Sequence, residues 1–305
     1  MPSVTVVVPS FNHANYLAEC LASLSAQTLV DWEAVIVDDA STEGDIAGVV
    51  EACDDRRITY TRHERNLGAA AARNTGIQAG TADLIAPVDS DDILEPDFLE
   101  RLCRELDDRP EADCSFPDFV LFGDASGRRN FGDGEVHDLV ARQWLPGPGC
   151  VYRRRLWERV GGYCEDPALR AGNEDWDFYL AAAEAGFTAR HVDEVLYRYR
   201  VGSTSTGMRL QYVNYLTREF ILGRHRAFFE RYGGARRFLA EGYAVSAKAS
   251  LARFERRRAL TLAFHALRLD PRTRNLAPVI LRSLLPGPIL SAGQRLRRSR
   301  RARHG

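Results

Sequence analysis

The first third of the chain alternates short apolar, β-branched runs with segments whose apolar residues recur at helical spacing. Short apolar runs bounded by Pro, Gly or Asp are typical of buried strands, and apolar residues three or four apart are typical of helices. Strands are predicted at residues 4–8, 32–37, 58–61 and 84–88, and helices at 15–26, 43–53 and 69–79. This alternation predicts βαβ units and a mainly parallel α/β sheet with flanking helices.

The chain is less regular up to residue 207 and becomes helical after it. Two strand-like segments, 115–122 and 128–131, flank a Gly-containing turn, so we expect them to pair. Further helices are predicted at 95–106, 153–160 and 173–185, and further strand-like segments at 187–192 and 195–201. The pattern therefore predicts an α/β domain over residues 1–207 and a helical extension over 208–305.

The formal net charge of −1 hides a strong asymmetry along the chain. Residues 209–305 contain 22 Lys and Arg against 5 Asp and Glu, a net of +17, which leaves −18 for residues 1–208. A basic region suits the phosphates of lipids or nucleic acids. No nucleic-acid motif or aromatic array accompanies the basic residues, so we expect no nucleic-acid partner. Lys248 is the only lysine, and the other 40 basic residues are arginines.

Acidic residues follow two of the predicted strands. Asp38-Asp39 ends the second strand, and the run Asp-Ser-Asp-Asp at 89–92 ends the fourth. Because the carboxyl ends of parallel strands meet at one edge of a sheet, ligands of such sheets bind there. Paired carboxylates repel unless a cation neutralises them, and Mg²⁺ or Mn²⁺ completed by substrate phosphates is a common arrangement. The alternative is a solvated Asp-rich turn that caps the next helix.

Two more segments offer side chains suited to chemistry. Arg73 lies in the helix after the Asn-Leu-Gly turn at 66–68, and a guanidinium can hold a phosphate by two hydrogen bonds. The plain alternative is a surface arginine. The run Glu-Asp-Trp-Asp at 174–177 begins a helix, where acidic residues complement the helix dipole. One of these carboxylates could instead be a general base toward a hydroxyl nucleophile.

Six short motifs, taken together and in order, resemble family 2 glycosyltransferases of the GT-A fold, which has a Rossmann-like, mainly parallel sheet. They are Val-Val-Val-Pro-Ser-Phe-Asn at 6–12, Val-Ile-Val-Asp-Asp-Ala-Ser at 35–41, Asn-Leu-Gly at 66–68, Ala-Arg-Asn at 72–74, Val-Asp-Ser-Asp-Asp at 88–92 and Glu-Asp-Trp-Asp at 174–177. The resemblance covers roughly residues 3–205. It implies a donor half over about 1–110 and an acceptor half over about 111–207.

The resemblance assigns four residues to the nucleotide-sugar donor. Asp39 is expected to accept a hydrogen bond from the nucleobase, with Pro9 lining that pocket. Arg73 is expected to face the diphosphate. Asp89 is expected to contact the donor ribose or the water shell of a metal ion.

The same resemblance assigns residues to the metal site, to the general base and to acceptor binding. Asp91 is the expected direct ligand of Mn²⁺ or Mg²⁺, with Asp92 as its less certain neighbour. Asp175 matches the base that deprotonates the acceptor hydroxyl, and Glu174 or Trp176 would position the acceptor. The implied reaction is one in-line displacement with inversion at the anomeric carbon, the metal stabilising the departing nucleoside diphosphate.

One departure from the family pattern concerns the metal. Many relatives carry a His near a Ser after the last strand, where the sequence here reads Tyr-Arg-Val-Gly-Ser at 199–203. His191 precedes that strand and is a doubtful substitute. The alternatives are coordination by Asp91 with phosphates and water, or assistance to the phosphate charge from Arg200.

The expected function is that of a hexosyltransferase that uses a nucleotide-diphospho-sugar, with UDP-sugar favoured, to build a cell-surface polysaccharide or similar glycan. One alternative is a sugar nucleotidyltransferase. Residues 9–13 lack the Gly-rich, Lys- or Arg-containing loop usual in that class. The other is a non-catalytic protein that binds glycan or membrane on a GT-A scaffold, against which Asp91 and Asp175 argue.

The predicted location is cytoplasmic. Six scattered cysteines without a CxxC pattern favour reduced thiols, the N-terminus lacks the features of a signal peptide, and no apolar stretch is long enough to span a bilayer. The basic region has two possible interpretations. The more specific one is peripheral docking to an anionic inner leaflet through the Arg-rich tail at 295–305, which would suit a lipid-linked glycan acceptor. The alternative is a solvated helical appendage.

Overall fold

The computed structural model describes residues 2–132, 134, 136–140, 145–202 and 206–284. The chain divides into two compact units, Met1–Ser205 and Thr206–Gly305.

The first unit follows the βαβ order that the sequence predicts, with strand and helix bounds close to the predicted ones. Its strands are β1 (Val4–Ser10), β2 (Trp32–Asp38), β3 (Ile58–Arg62), β4 (Leu84–Pro87), β5 (Ile93–Leu94), β6 (Cys114–Gly123), β7 (Gly127–Arg129), β8 (Val151–Arg153) and β9 (Ala189–Val201). Its α-helices are α1 (Ala14–Ser25), α2 (Ile46–Cys53), α3 (Ala69–Ala79), α4 (Phe98–Asp108), α5 (Arg154–Val160) and α6 (Glu174–Glu184).

These strands form one sheet in the order β3-β2-β1-β4-β8-β6-β9-β5, with β7 paired to β6. The strands β3, β2, β1 and β4 are parallel to one another, which confirms the predicted α/β class. The second half is mixed, because β8 is antiparallel to both β4 and β6, whereas β6 and β9 are parallel. The βαβ part therefore occupies the first half of the sheet.

Close packing of α3 on the sheet explains the small residues of this helix. A Cβ atom on Gly76 would lie 2.4 Å from Val7 Cγ1, so only glycine lets the helix approach β1 this closely. Ala72 is fully buried against Val35 and Val37 of β2. The Ala-rich sequence thus brings the first turn of α3, with Arg73, near the sheet.

The second half of the sheet confirms one strand prediction and corrects another. The segments predicted at 115–122 and 128–131 pair antiparallel as β6 and β7. The segments predicted separately at 187–192 and 195–201 instead belong to the single strand β9, and His191 lies inside it. An irregularity in the β6–β9 register, where Val192 and Val195 pair with adjacent residues of β6, absorbs the two polar residues between them.

The second unit is helical, as predicted. Its helices are α7 (Thr206–Arg224), α8 (Arg226–Tyr232), α9 (Ala235–Ala252), α10 (Arg256–Leu269) and α11 (Ala277–Leu284). Small side chains allow α9 and α10 to pack closely, with Ala247, Ala259, Ala263 and Ala266 completely buried. The Arg-rich tail at 295–305 lies outside the described residues, so the expectation of tail-mediated docking stays a prediction.

None of the helices in the described part of the chain combines the length and hydropathy needed to cross a membrane. All six cysteines are free thiols, and four of them are buried.

Candidate active site

The carboxyl ends of β1, β2 and β4 meet at one edge of the sheet. Ser10 pairs with Asp38 across β1 and β2, and the Asp39 N–H donates to the Ser10 carbonyl at 2.9 Å. On the other side of β1, the Val88 N–H donates to the Val7 carbonyl at 3.0 Å. The acidic residues that follow β2 and β4 therefore share this edge, as the sequence predicts.

Asn12 locks the loop after β1 to the loop after β2. Its Oδ1 accepts hydrogen bonds from the N–H groups of Thr42 at 2.8 Å and Glu43 at 3.1 Å, and its own N–H donates to Ser41 Oγ at 2.9 Å. Its backbone is left-handed, with φ 59°, a conformation that Asn tolerates better than most residues. These contacts explain why Asn12 and Ser41 belong to the motifs at the first two strand ends.

The two carboxylates that end β2 have different surroundings. Asp38 is fully buried and accepts hydrogen bonds from the Ser41 N–H at 2.8 Å and the Tyr60 hydroxyl at 3.1 Å, beside Arg62. Burial alone would raise the pKa of Asp38, but these hydrogen bonds and the Arg62 charge outweigh it, and the pKa is lowered. Asp38 is thus an ionised structural residue that fixes the loop after β2.

Asp39 holds the Asn-Leu-Gly turn in front of α3. Its carboxylate accepts hydrogen bonds from the N–H groups of Leu67 at 2.8 Å and Gly68 at 2.7 Å and lies 2.8 Å from His63 Nδ1. A carboxylate has about four acceptor positions, so these three contacts leave one. Asp39 is 3% exposed. The nucleobase contact expected of Asp39 stays a prediction.

Asp89, Asp91 and Asp92 form a cluster that could hold a metal ion. One oxygen from each carboxylate lies within 4.8 Å of the others. The Asp92 carboxylate is buried and accepts hydrogen bonds from the Tyr197 hydroxyl and the Arg200 N–H, both at 2.7 Å. Asp92 is thus tied to β9, whereas Asp89 and Asp91 are only partly buried. The two less buried carboxylates are the better candidates for contact with a ligand.

Electrostatics in this cluster favour a cation. Burial raises the pKa of Asp91, and the neighbouring Asp89 carboxylate raises it further. The same two causes raise the pKa of Asp92 well above its usual range. Among the described residues, the Asp91 carboxylate forms no ion pair with an arginine or histidine. Like charges at this separation are unfavourable without a neutralising partner, so the donor set fits a divalent cation.

Arg73 joins the end of β4 to the start of α6. Its Nη2 donates to Asp89 Oδ1 at 2.9 Å, and its Nη1 donates to Glu174 Oε1 at 2.6 Å. The guanidinium is buried, and its Nε–H is a buried donor without an acceptor among the described residues. Arg73 therefore brings the helix with the acidic first turn to the edge that carries the cluster.

Only one of the three carboxylates in the first turn of α6 is open to solvent. Glu174 pairs with Arg73 and is 9% exposed, and Asp177 is 1% exposed, whereas Asp175 is partly exposed. Asp175 Oδ1 accepts a hydrogen bond from the Trp176 N–H at 2.8 Å. Interaction with the helix dipole is enough to explain why two buried carboxylates occur in this first turn. Asp175 is the carboxylate that remains accessible.

Trp176 supports α6 from the core. Its side chain is buried, and its indole N–H donates to the Leu139 carbonyl at 2.9 Å. Glu174 is likewise occupied by Arg73. The acceptor-positioning roles expected of these two residues stay predictions, and their contacts show how each also fixes the start of α6.

Tyr199 of β9 has a pKa that burial and the acidic residues of this region raise. Burial is the largest cause, and the charges of Asp89, Asp92, Asp91 and Asp175 raise the pKa of Tyr199 further. The contact that joins the two acidic groups is Arg73, which bonds Asp89 of the cluster and Glu174, the neighbour of Asp175.

Gly147 makes a close approach to the candidate base. A Cβ atom at this position would lie 2.1 Å from Asp175 Oδ2 and 3.0 Å from Asp175 Cγ. The preceding Pro146 is held in place by the Tyr179 hydroxyl of α6, which donates to its carbonyl at 2.9 Å. Sequence reasoning missed Gly147 because it lies 28 positions from Asp175 and in no recognised motif.

Arg200 occupies the segment where many relatives carry a His. Its Nε donates to the Asp91 carbonyl at 2.7 Å, and its guanidinium lies over the rings of Tyr16 and Phe122. His191 is instead 2.8 Å from the buried Asp118 carboxylate and does not belong to the aspartate cluster. Arg200 holds the backbone of the cluster, and its predicted help to a phosphate stays a prediction.

Residues 5–164 match the profile of Glycosyl transferase family 2, which is more than half of the chain. The chain is therefore a member of glycosyl transferase family 2. The resemblance seen in the sequence is confirmed.

Relatives and solved structures agree with this family. Glycosyltransferase GlyA of Streptococcus pneumoniae is 37% identical over 65% of this chain, which spans only 30% of that relative. Succinoglycan biosynthesis protein ExoO of Rhizobium meliloti is 30% identical over 76% of this chain and 69% of its own length. The crystal structure of S. aureus TarS in complex with UDP-GlcNAc matches 93% of this chain and 88% of its own with a TM-score of 0.66 and 17% identity. This likeness confirms the GT-A fold.

Proposed function

We propose that the chain transfers a hexosyl group from a nucleoside-diphospho-sugar to a hydroxyl acceptor, with inversion at the anomeric carbon. The observation that carries this proposal is the position of Arg73. This one buried side chain bonds both Asp89, beside the candidate metal ligand, and Glu174, beside the candidate base. This link supports the proposal that donor activation and acceptor deprotonation share one crevice.

The donor is a UDP-sugar bound at the ends of β1, β2 and β4. Pro9 and Asp39 contact the nucleobase, Asp89 contacts the ribose or the water around a metal ion, and Arg73 faces the diphosphate. The unsatisfied Nε–H of Arg73 and the UDP-GlcNAc complex of the structural neighbour support this assignment. Asp39 also orders the turn before α3, so its role includes shaping the pocket.

A divalent cation, Mn²⁺ or Mg²⁺, is held by Asp91, with Asp89 nearby. The raised pKa of Asp91, caused by burial and by Asp89, supports a cation at this point. When bound, the ion supplies charge stabilisation for the departing nucleoside diphosphate. Because β9 carries Arg200 in place of a histidine ligand, Asp91 would be the direct protein ligand, and donor phosphates and water would supply the remaining ligand atoms.

Asp175 is the general base of the transfer. Its carboxylate accepts the proton of the acceptor hydroxyl while that oxygen forms a bond to the anomeric carbon. The bond from this carbon to the diphosphate oxygen breaks, and the nucleoside diphosphate leaves with the electron pair. Attack opposite the leaving group inverts the anomeric configuration. The partly exposed position of Asp175 supports this role.

The acceptor is a glycan or lipid-linked glycan in bacterial cell-surface polysaccharide synthesis. The similarity to the succinoglycan biosynthesis protein supports this class of acceptor. We assign the donor half to about 1–110 and the acceptor half to about 111–207 of the transferase domain, with the helical region at 208–305. The reaction takes place in the cytoplasm, where nucleotide sugars are made.

The competing function is a non-catalytic glycan- or membrane-binding protein on the same scaffold. A panel of UDP-, dTDP-, GDP- and CMP-sugars with Mn²⁺ or Mg²⁺ separates the two functions. We expect slow release of the nucleotide from one of these donors, with water replacing the acceptor. A scaffold protein would release none, and a nucleotidyltransferase would instead form pyrophosphate from a nucleoside triphosphate and a sugar phosphate.

The Gly147→Ala variant is expected to lose about 100-fold in kcat with an unchanged affinity for the nucleotide. The added methyl group cannot coexist with the present position of Asp175 Oδ2, and a displacement of about 1 Å at a reacting group can cost this much. Gly223→Ala in α7 is the matched control, because a Cβ atom there meets no heavy atom within 4 Å. Equal turnover by both variants would show that Gly147 does not position the base.

A further inference from the structure

The second unit contains a cavity between the end of α9, the start of α10 and α11. Its volume is about 340 Å³. Apolar walls come from Leu251, Phe254 and Val279, among others, and cationic side chains come from Lys248, Arg256 and Arg282. The cavity therefore combines the two properties of a site for an amphiphilic anion.

Two cationic side chains of the cavity, Lys248 and Arg282, form no ion pair with any described residue. None of the lining residues is acidic. The nearest carboxylate in sequence, Glu255, accepts a hydrogen bond from the Tyr212 hydroxyl at 2.7 Å and from Arg258 at 3.3 Å. The only lysine of the chain thus lines the cavity together with Arg282, without an acidic partner in the described part of the chain.

Phe254 has an unusual backbone conformation and an exposed ring. It follows the C-cap of α9 with φ 65°, in the left-handed region that glycine or asparagine normally occupies at this position of a helix. Its side chain is nevertheless 66% exposed. This conformation closes the helix, because the N–H groups of Phe254 and Glu255 donate to the carbonyls of Leu251 and Ser250, both at 3.0 Å. Those bonds involve only the backbone, so they leave the exposed aromatic ring unexplained.

Leu281 of α11 is a second exposed apolar residue close in sequence to the cavity. It is 61% exposed and directly precedes Arg282, which lines the cavity. Exposed Phe and Leu beside Lys and Arg are typical of surfaces that enter the headgroup region of an anionic membrane.

We propose that Lys248, Phe254, Arg256, Leu281 and Arg282, here termed the α9–α11 surface, dock this unit on an anionic lipid bilayer. The phosphate of a lipid headgroup enters the cavity beside Lys248 and Arg282, while Phe254 and Leu281 insert among the acyl chains. This inference is independent of the sugar-transfer site. It also differs from docking by the Arg-rich tail, because every residue of the surface precedes residue 285.

Charge favours an anionic bilayer over two other possible occupants of the α9–α11 surface. The chain after Leu284 contains no acidic residue, so it offers no charge complementary to Lys248 and Arg282. A second copy in a two-fold contact would set the same cations against one another. An anionic bilayer is complementary to the surface in both charge and hydropathy.

Co-sedimentation of the full-length chain with anionic vesicles tests the α9–α11 surface. The vesicles consist of phosphatidylcholine with 30% phosphatidylglycerol, which gives them a clear negative charge. Each basic residue near such a membrane contributes a factor of about 5, so Lys248→Gln with Arg282→Gln is expected to weaken binding by about 25-fold. The control pair Arg231→Gln with Arg237→Gln removes the same charge away from the cavity. Equal losses of vesicle binding in the two double variants would show that net charge alone explains the effect, and this would overturn the proposal.

The Phe254→Gly variant separates docking from a structural role. Glycine relieves the left-handed strain at this position, so we expect a higher Tm together with weaker vesicle binding. A lower Tm with unchanged vesicle binding would make Phe254 a structural residue and contradict the proposal.

Reductive ¹³C-methylation of the single lysine side chain supplies a direct probe. The signal of Lys248 is expected to shift with short-chain phosphatidylglycerol and to stay in place with short-chain phosphatidylcholine. An equal shift with inorganic phosphate alone would indicate a free-phosphate site and overturn the assignment to lipid.

Discussion

Replacing Asp175 by Asn is expected to reduce sugar transfer by about 1,000-fold and to leave nucleotide affinity unchanged. A positioned general base contributes about 10²- to 10⁴-fold to such a reaction, and an amide cannot accept the proton. Asn has the same shape, and its Oδ1 can keep the hydrogen bond that the Trp176 N–H donates to Asp175. Release of the nucleoside diphosphate and calorimetric binding of the nucleotide measure the two quantities separately.

The control for this variant is Glu184→Gln, at the other end of α6, where the side chain is exposed. It removes one negative charge from the same helix without touching the crevice. A transfer rate of Asp175→Asn close to that of the control would show that another group takes the proton.

Replacing Asp91 by Asn is expected to remove the metal-dependent part of nucleotide binding. Loss of groups that merely orient a metal ligand costs about 10- to 100-fold in affinity, so loss of the ligand itself is expected to cost about 100-fold or more. The affinity for nucleotide without metal should hardly change, because Arg73 and Asp39 remain. Titration of the nucleotide with and without Mn²⁺ measures the difference.

The same variant is expected to raise the Tm of the metal-free protein. Burial and Asp89 raise the pKa of Asp91, so the folded state binds its proton more tightly than the unfolded state does. A raised carboxylate pKa means that the charged form opposes folding at neutral pH, and stability increases as the pH falls through that pKa. Asp107→Asn on α4, an exposed position, is the control. A lower Tm for Asp91→Asn than for this control would contradict the electrostatic account of the cluster.

Local patterns in the sequence predicted the edge of the sheet and the acidic residues that gather there. The apolar runs that end at Asp38 and before Asp89 fixed the strands, and the parallel order then placed both acidic groups at one edge. The family motifs added roles that spacing alone leaves open. Asp38, for example, proved to be a structural residue held by Ser41 and Tyr60, a distinction that depends on burial and hydrogen bonding.

Contacts between distant segments account for what the sequence did not predict. Arg73 and Glu174 are 101 positions apart, and no local pattern announces their ion pair. Gly147 is defined by the space beside Asp175, and Arg200 by its bond to the Asp91 carbonyl. The two segments predicted near residue 193 merge into β9 because pairing with β6 tolerates an irregularity in register. These features arise only when the chain is folded.

The central claim is that the sheet edge with Asp91 binds a nucleoside diphosphate through a divalent cation. Thermal unfolding with UDP, dTDP, GDP and CMP, each with and without Mn²⁺ or Mg²⁺, tests it most directly. A ligand that binds only the folded state raises its stability by RT ln(1 + [L]/Kd), about 2.7 kcal/mol at a hundredfold excess over Kd. We predict that one nucleotide, UDP, raises the Tm and that the metal enlarges this rise in the wild type but not in Asp91→Asn. A Tm that no nucleotide changes, with or without metal, would contradict the account.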